Sequence, residues 1–411
     1  MNMKLYIVLF LYLIIGFIPY FDTIDKIGSQ WLYLSILNII AILISYKNSK
    51  PLTFVRFKPF LLYFIFILFC SISLIYTKNI LISIIDFSRI FITFLSIYNL
   101  VSLLNGSDFS IKKFSILISI ILFFEIMFSL FPLIKFVYSN GFQDIDFTSV
   151  PNALKGISGN KNVMSSNVAF KIPFIIYLII ISKTSLKYLY SFLFTLSLID
   201  LFLLSSRAAF ISSFLVLLFF TLYLVYNYKK INFRLILSLA IPLVTIISLA
   251  FYTSSIDAIS VKNRLNSINT SDTSTNHRLT LYENAIDYIL ENPIIGCGIG
   301  NWKVESLPYW KNLLSGYTIP YHAHNDFLEI GTETGLLGGL SYLFLFLMIF
   351  YYSIKLVYKN NLFGYFLISI TSVYFIDAFL NFPLERALSQ VNFIILLFLS
   401  YIFIQNEKIN S

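Results

Sequence analysis

A chain of 411 residues that is 58% hydrophobic, 18% aromatic and only 12% charged carries about half the charge of an ordinary soluble protein. Its mean hydropathy of +0.82 is more than one water-soluble core can absorb, which excludes a soluble enzyme, a disordered chain and a disulfide-stapled secreted domain. The formal net charge of +9 is accounted for by loop cations that set membrane topology, so no nucleic-acid partner is expected.

A bilayer core takes about 20 apolar residues per helix, and twelve runs suit that role: residues 4–21, 30–46, 58–77, 80–104, 111–131, 163–182, 187–205, 208–226, 234–252, 327–354, 362–380 and 389–405. The fold class is therefore an all-α polytopic membrane protein. The first run has no small-residue cleavage site behind it and reads as a retained helix rather than a signal peptide. With no Gly/Ser linker and no internal repeat, residues 1–411 read as a single membrane domain with two long segments between runs, 132–162 and 253–326. One set of short loops carries Lys47, Lys50, Arg56, Lys58, Lys112, Lys113, Lys183, Lys187, Lys229, Lys230, Arg234, Lys355 and Lys359; the alternate set carries only Lys26, Lys78, Arg207 and Arg386. The positive-inside rule then places both termini in the cytoplasm and both long segments outside. Cys70 and Cys297 read as two unpaired thiols.

Ionisable residues within the spans are costly and usually functional. Asp86, Arg89, Glu125, Lys171, Asp200 and Asp377 all map to the outer half of their spans at ~1.5 Å rise per residue. Each alone is equally consistent with snorkelling or a local pair, as Asp86 and Arg89 are spaced i, i+3. Together they predict a polar cavity open to the outside. A transporter, whose site would lie near the midplane with access from both sides, is less consistent with them.

In the 253–326 segment, His277–Glu291 reads as a helix capped by Asn276, with Leu279, Tyr282, Ile286 and Ile289 on one face and Pro293 as its stop. Arg278 stands near its positive dipole end. Gly296, Gly298 and Gly300 read as a tight turn needing positive φ, since no strand precedes them as a phosphate loop requires. The run Tyr321 to Glu329 admits three readings. His322, His324, Asp326 and Glu329 could hold a metal; the histidines and Asn325 could cap a helix; or His322 or His324 could be a catalytic base. Arg207, in a tight connection of small residues, and Arg278 present planar guanidinium forks suited to a pyrophosphate, or serve as an interface anchor and a solvated helix face.

The chain resembles the O-antigen ligase and O-antigen polymerase (Wzy-like) superfamily of bacterial membrane glycosyltransferases. The residues that carry the resemblance are Ser206 and Arg207; the Arg278 helix leading to Asn292, Pro293 and Gly296 to Gly300; His324, Asn325, Asp326, Phe327, Leu328 and Glu329 followed by Glu333, Thr334, Gly335, Leu336, Leu337 and Gly338; and Asn381 to Glu385. The likeness covers about 200–400 and extends more weakly to Gly159, Asn160, Lys161 and Asn162.

The resemblance implies a GT-C-like fold in the bacterial inner membrane with a periplasmic active site. It also implies inverting, metal-independent transfer of a glycan from an undecaprenyl-pyrophosphate carrier, with no cofactor. His324 is then the base and Arg207 and Arg278 hold the pyrophosphate. His322, Asn325, Glu329, Lys171, Arg89 and Arg386 are the candidate substrate-binding residues. Lipid A core, a lipid-linked glycan or a protein hydroxyl are the acceptors open to a ligase, a polymerase or an oligosaccharyltransferase of this superfamily. A lipid-linked glycan flippase or transporter is the alternative of a different class.

Overall fold

The computed structural model describes residues 3–19, 21, 27–45, 56–104, 109–141, 150–183, 185–252, 273–310 and 321–410. Among them every regular element is helical. The first five α-helices are α1 Met3–Leu13, α2 Gly28–Ser45, α3 Lys58–Ser73, α4 Ile80–Leu104 and α5 Ile111–Asn140. Next come α6 Val150–Ala153, α7 Lys161–Ile181, α8 Leu186–Leu204, α9 Arg207–Tyr226, α10 Phe233–Tyr252 and α11 Thr273–Glu291. The last five are α12 Trp302–Glu305, α13 Leu307–Trp310, α14 Asp326–Tyr358, α15 Leu362–Leu380 and α16 Ala387–Asn410.

Ten of these helices are long and apolar enough to cross a membrane, and α1, with its 3-10 extension Ile14–Phe17, and α3 are shorter apolar helices. They answer to the twelve apolar runs, and the chain is an all-α multi-pass membrane protein. Of the loop cations, Lys26, Lys47 and Lys50 lie outside the described residues, as do 142–149, 253–272 and 311–320 of the two long segments.

Two compact units divide the chain: residues 1–19, 108–268 and 353–376 form one, and 20–107, 269–352 and 377–411 the other. Two of the boundaries fall inside α14 and α15. Continuous helices carry the chain between units there, so no linker composition marks them.

In the first unit α7 packs against α5, α8 and α9, and α10 packs against α8. Asn160 sets the start of α7, its side-chain oxygen accepting from the N–H groups of Asn162 (2.9 Å) and Val163 (3.4 Å). Lys171 then falls within the almost wholly buried α7, 2.5 Å from each carboxylate oxygen of Glu125 on α5. An unpaired lysine in such a span costs about 3 kcal/mol; Glu125 supplies the countercharge.

The expected end of the fifth run at 131 is overtaken, since α5 continues through Pro132 to Asn140 and closes at Gly141 (φ 85°). Proline removes only its own N–H, and a helix within a span bends around it rather than stopping. α8 ends where Ser205 turns left-handed (φ 56°) and returns its N–H to Leu201 O at 3.1 Å, which places Arg207 at the first position of α9.

In the second unit α4 receives α2, α3 and α16. Asn38 on α2 donates to Ser96 Oγ at 3.0 Å, and Asn99 Nδ2 donates to Asn38 Oδ1 at 2.9 Å, so polar side chains join α2 to α4 where apolar packing alone has little preference within lipid. Within α14, Gly335 is non-helical (φ 78°, ψ 172°). The carbonyls freed at this kink accept from the incoming loop, Cys297 N–H to Thr332 O at 2.9 Å and Gly298 N–H to Glu333 O at 2.8 Å, while Leu336 N–H donates to Pro293 O at 2.9 Å.

A Cβ on Gly335 would stand 2.3 Å from Ile294 O. Gly335→Ala is therefore expected to lower stability by about 1–3 kcal/mol, read as a lower unfolding temperature of the full chain in detergent. An unchanged temperature would show that the kink is not required.

The loop helix α11 begins at Thr273, ahead of Asn276, so Asn276 is not its cap. Its inward face also differs from the expected one. Leu281 and Ala285 are buried, whereas Leu279 and Ile286 are each 44% exposed. Small Ala285 lets the helix approach Cys297, Trp302 and Ala323, with Tyr288, Tyr309 and Leu328 packed around them. This shared core is what brings α11, the glycine turn and the His322–His324 stretch together. Cys70 and Cys297 are both free and buried.

Candidate active site

The second unit builds a charged cluster from four stretches of chain. α4 contributes Asp86 and Arg89, joined at 2.9 Å through Arg89 Nη1 and Asp86 Oδ1, so the i, i+3 spacing does produce a local pair. Lys303 on α12 reaches Asp86 Oδ2 at 2.9 Å and also pairs with Glu385 Oε1. Arg89 lies 3.8 Å from Glu385 Oε2, and His322 Nε2 lies 3.4 Å from that same oxygen. The other ring nitrogen of His322, Nδ1, is 2.9 Å from Glu329 Oε1 at the start of α14.

The glycine turn admits this cluster. Gly298 (φ 93°) and Gly300 (φ 77°) adopt the expected positive φ, whereas Gly296 does not and is required instead by the close approach of the Thr332–Glu333 backbone; a Cβ on Gly300 would stand 2.5 Å from Asp86 Oδ2. Asn301 then ties the turn to the start of α4, donating to Ser83 Oγ at 2.7 Å and accepting from Asn79 N–H at 2.9 Å.

Alternating charges in a buried cluster shift one another. Burial alone would lower the His322 pKa and raise that of Glu385. Glu329 and Glu385 overcome the first effect, so His322 is held above the ordinary imidazole value. His322 and Lys303 overcome the second, so Glu385 is pulled down to about 2. Burial likewise opposes the Lys303 charge, but Glu385 and Asp86 outweigh it and hold the ammonium above its usual range. A carboxylate at each ring nitrogen thus favours the charged form of His322, an arrangement suited to holding geometry rather than to taking a proton.

His324 lies two residues on in a different setting. Glu329 Oε2 accepts from the Ala323 N–H at 2.8 Å, and Asn325 Oδ1 caps α14 by accepting from Phe327 N–H (3.0 Å) and Leu328 N–H (3.2 Å). Between these two anchors His324 adopts φ 54°, a left-handed conformation uncommon outside glycine. The Tyr282 hydroxyl of α11, 3.2 Å from His324 O and 3.1 Å from Phe379 O, holds the same turn.

Both imidazoles pack on Phe382. The His322 ring stacks at 4.3 Å, the His324 ring meets it edge-on at 5.0 Å, and the Arg386 guanidinium lies 5.3 Å from its centroid. His324 Nδ1 is buried with no hydrogen-bond partner among the described residues. Burial, reinforced by the positive charge of Arg278 and of the neighbouring histidines, pushes His324 down to about 4. The two histidines therefore divide: one clamped between carboxylates, one pushed toward its neutral form.

The placement of the expected site residues follows from these contacts. His322, His324, Asn325, Glu329, Arg89 and Arg386 share the second unit with Arg278, which is near enough to His324 to act on its charge. Arg207 and Lys171 belong to the first unit, Arg207 opening α9 and Lys171 facing Glu125. Of the expected metal ligands, His322 and Glu329 come together, but with Glu385 rather than His324 or Asp326; their ligand atoms lie within 4.8 Å of one another. Asp326 Oδ2 instead accepts from Leu384 N–H at 3.2 Å. Lys303 and Arg89 already face Glu385, so fixed cations stand where a metal would bring its charge.

Lys303, Glu385 as an ion partner, and Phe382 as the platform for both rings were not singled out from the sequence. The Asn381–Glu385 motif held the last two, but nothing in it tells their partners. The cavity beside the cluster, lined by Asp86, Arg89, Asp326, Glu329, Glu333 and Glu385 among others, has a volume of about 30 Å³. That suffices for one or two waters and not for a sugar.

An O-antigen ligase family model matches residues 192–343 of the chain. The match runs from within α8 into α14 and takes in Arg207, Arg278, His322, His324, Asn325 and Glu329, while Arg89, Lys171 and Arg386 fall outside it. This is the superfamily to which the sequence motifs point. No curated protein matches the chain.

Proposed function

We propose that this chain, with its O-antigen ligase domain, transfers a glycan from an undecaprenyl-pyrophosphate carrier to an acceptor hydroxyl at the periplasmic face of the bacterial inner membrane, in the manner of an O-antigen ligase. The observation that carries the reading is the division between the two histidines. His324 is neutral, held in a fixed left-handed turn and free to accept a proton, while His322 is locked between Glu329 and Glu385.

His324 Nδ1 is closed off by packing, which leaves Nε2 for the incoming hydroxyl. The acceptor O–H gives its proton to His324 as its oxygen forms a bond to the anomeric carbon. The bond from that carbon to the phosphate oxygen breaks, and undecaprenyl pyrophosphate departs with the electron pair, inverting the configuration. Arg278 offers its guanidinium to the pyrophosphate, and binding that anion offsets the positive charge that lowers His324, strengthening the base when donor is present. The sugar–phosphate bond already holds the driving energy, so neither nucleotide nor metal is required.

The reading is tested by deleting the chain from its host and examining lipopolysaccharide on gels beside the pool of carrier-linked glycan. Bare core with accumulated carrier-linked polymer is expected. Normal lipopolysaccharide with an unchanged carrier pool would overturn the proposal.

A further inference from the structure

The first unit contains a second charged site, built from residues that the proposed reaction does not use. Where α7 ends and α8 and α10 begin, a cavity of about 500 Å³ is lined by Ile180, Ile181, Lys183, Lys187, Asn232 and Arg234 among others. No carboxylate lines it among the described residues. Lys187 is only 6% exposed, yet the charge that acts on it is the like charge of Arg234. A buried ammonium is ordinarily paired, so two facing cations with a third beside them leave an uncompensated positive field.

Backbone adds to that field. α8, of 19 residues, starts at Leu186, and α10, of 20 residues, starts at Phe233, so two long helices present their positive ends to the same cavity. The geometry is held from below by Ser191, which donates to Ser238 O at 2.6 Å between α8 and α10. At the rim, Asn232 Oδ1 caps α10 by accepting from Leu235 N–H at 2.9 Å. These loops belong to the lysine- and arginine-rich set that governs topology, but a topology signal needs only solvated charge. Exposed Lys112 and Lys113 fill that role without converging cations, Lys113 lying only beside an apolar groove with Met3, Tyr6 and Phe10.

We infer that Lys183, Lys187 and Arg234, with the amino ends of α8 and α10, form a binding site for a phosphate group. Ile180, Ile181 and Leu235 provide an apolar wall beside the cations, which suits a phosphate carried on a lipid headgroup as well as the free ion.

The full chain in phosphatidylcholine nanodiscs is titrated with fluorescent phosphatidic acid, and the titration is repeated with inorganic phosphate as competitor. Lys187→Gln and Arg234→Gln are each expected to weaken binding by about 10- to 100-fold. Lys183→Gln, at an exposed position that folding does not depend on, is expected to weaken it in the same direction, and Lys112→Gln with Lys113→Gln to leave it unchanged. Displacement of the probe by inorganic phosphate identifies the free ion as ligand; resistance to it identifies the headgroup, and both support the site. Wild-type affinity in the Lys187, Arg234 and Lys183 variants, or equal weakening by the Lys112 and Lys113 changes, would overturn it.

Discussion

Replacing His324 by Ala is expected to lower kcat for glycan transfer by about 10²- to 10⁴-fold, the usual contribution of a positioned general base. KM for the donor should change little, because pyrophosphate is assigned to Arg278 and not to the imidazole. The pH profile carries an independent signature. The free protein holds His324 down to about 4, and kcat/KM reports the free enzyme. Its acid limb should therefore fall only below about pH 4, where the ring takes up a proton and can accept no other. Bound pyrophosphate offsets the positive neighbours, so the limb in kcat should lie at higher pH than the limb in kcat/KM. Arg278→Gln removes one of the lowering charges and should move the kcat/KM limb up toward 6.5, the ordinary value for the ring. Turnover at the wild-type rate in a well-folded His324→Ala protein would end the assignment of the base.

Lys303→Met is expected to be the most destabilising change in the charged cluster, by about 3–5 kcal/mol, because Arg89 and His322 still face Asp86 and Glu385 but the buried cluster is left one positive charge short rather than losing a balanced pair. The Lys303 side chain is 17% exposed, and those of its partners Asp86 and Glu385 are 12% and 19% exposed, so solvent screens little of the interaction. The double variant Lys303→Met with Glu385→Gln should recover part of the loss, since a balanced pair is then removed, and the two changes should be non-additive by about 0.5–3 kcal/mol. The measurement is thermal unfolding of the full chain in detergent for both single variants and the pair. Additive losses would show that the two residues do not act on each other. The effect should reach activity as well, because Glu385 also faces His322, and His322 shares Phe382 with His324.

The parts of this protein legible in its sequence are those that short-range chemistry decides. An apolar run of about 20 residues has no stable alternative to a helix in lipid, where every backbone group must find its partner within the segment. All twelve runs accordingly appear as helices, including the two too short to span in the described residues. The glycine turn and the left-handed Gly298 and Gly300 were legible for the same reason. The motifs around Arg207, Arg278 and His324 identified a family that the match over 192–343 supports.

What the sequence left open depended on contacts between distant residues. The buried face of α11 was displaced from the apolar stripe because Ala285, the smallest residue on the helix, allows the closest approach. Lys303 has no motif of its own, and its partners are Asp86, 217 residues away, and Glu385, which follows α15 in the chain. The contrast between the settings of His322 and His324 was decided by tertiary structure alone. Two imidazoles separated by one residue are chemically equivalent until Glu329, Glu385, Phe382 and Arg278 are brought to them, and only folding sets which ring receives carboxylates and which receives a cation.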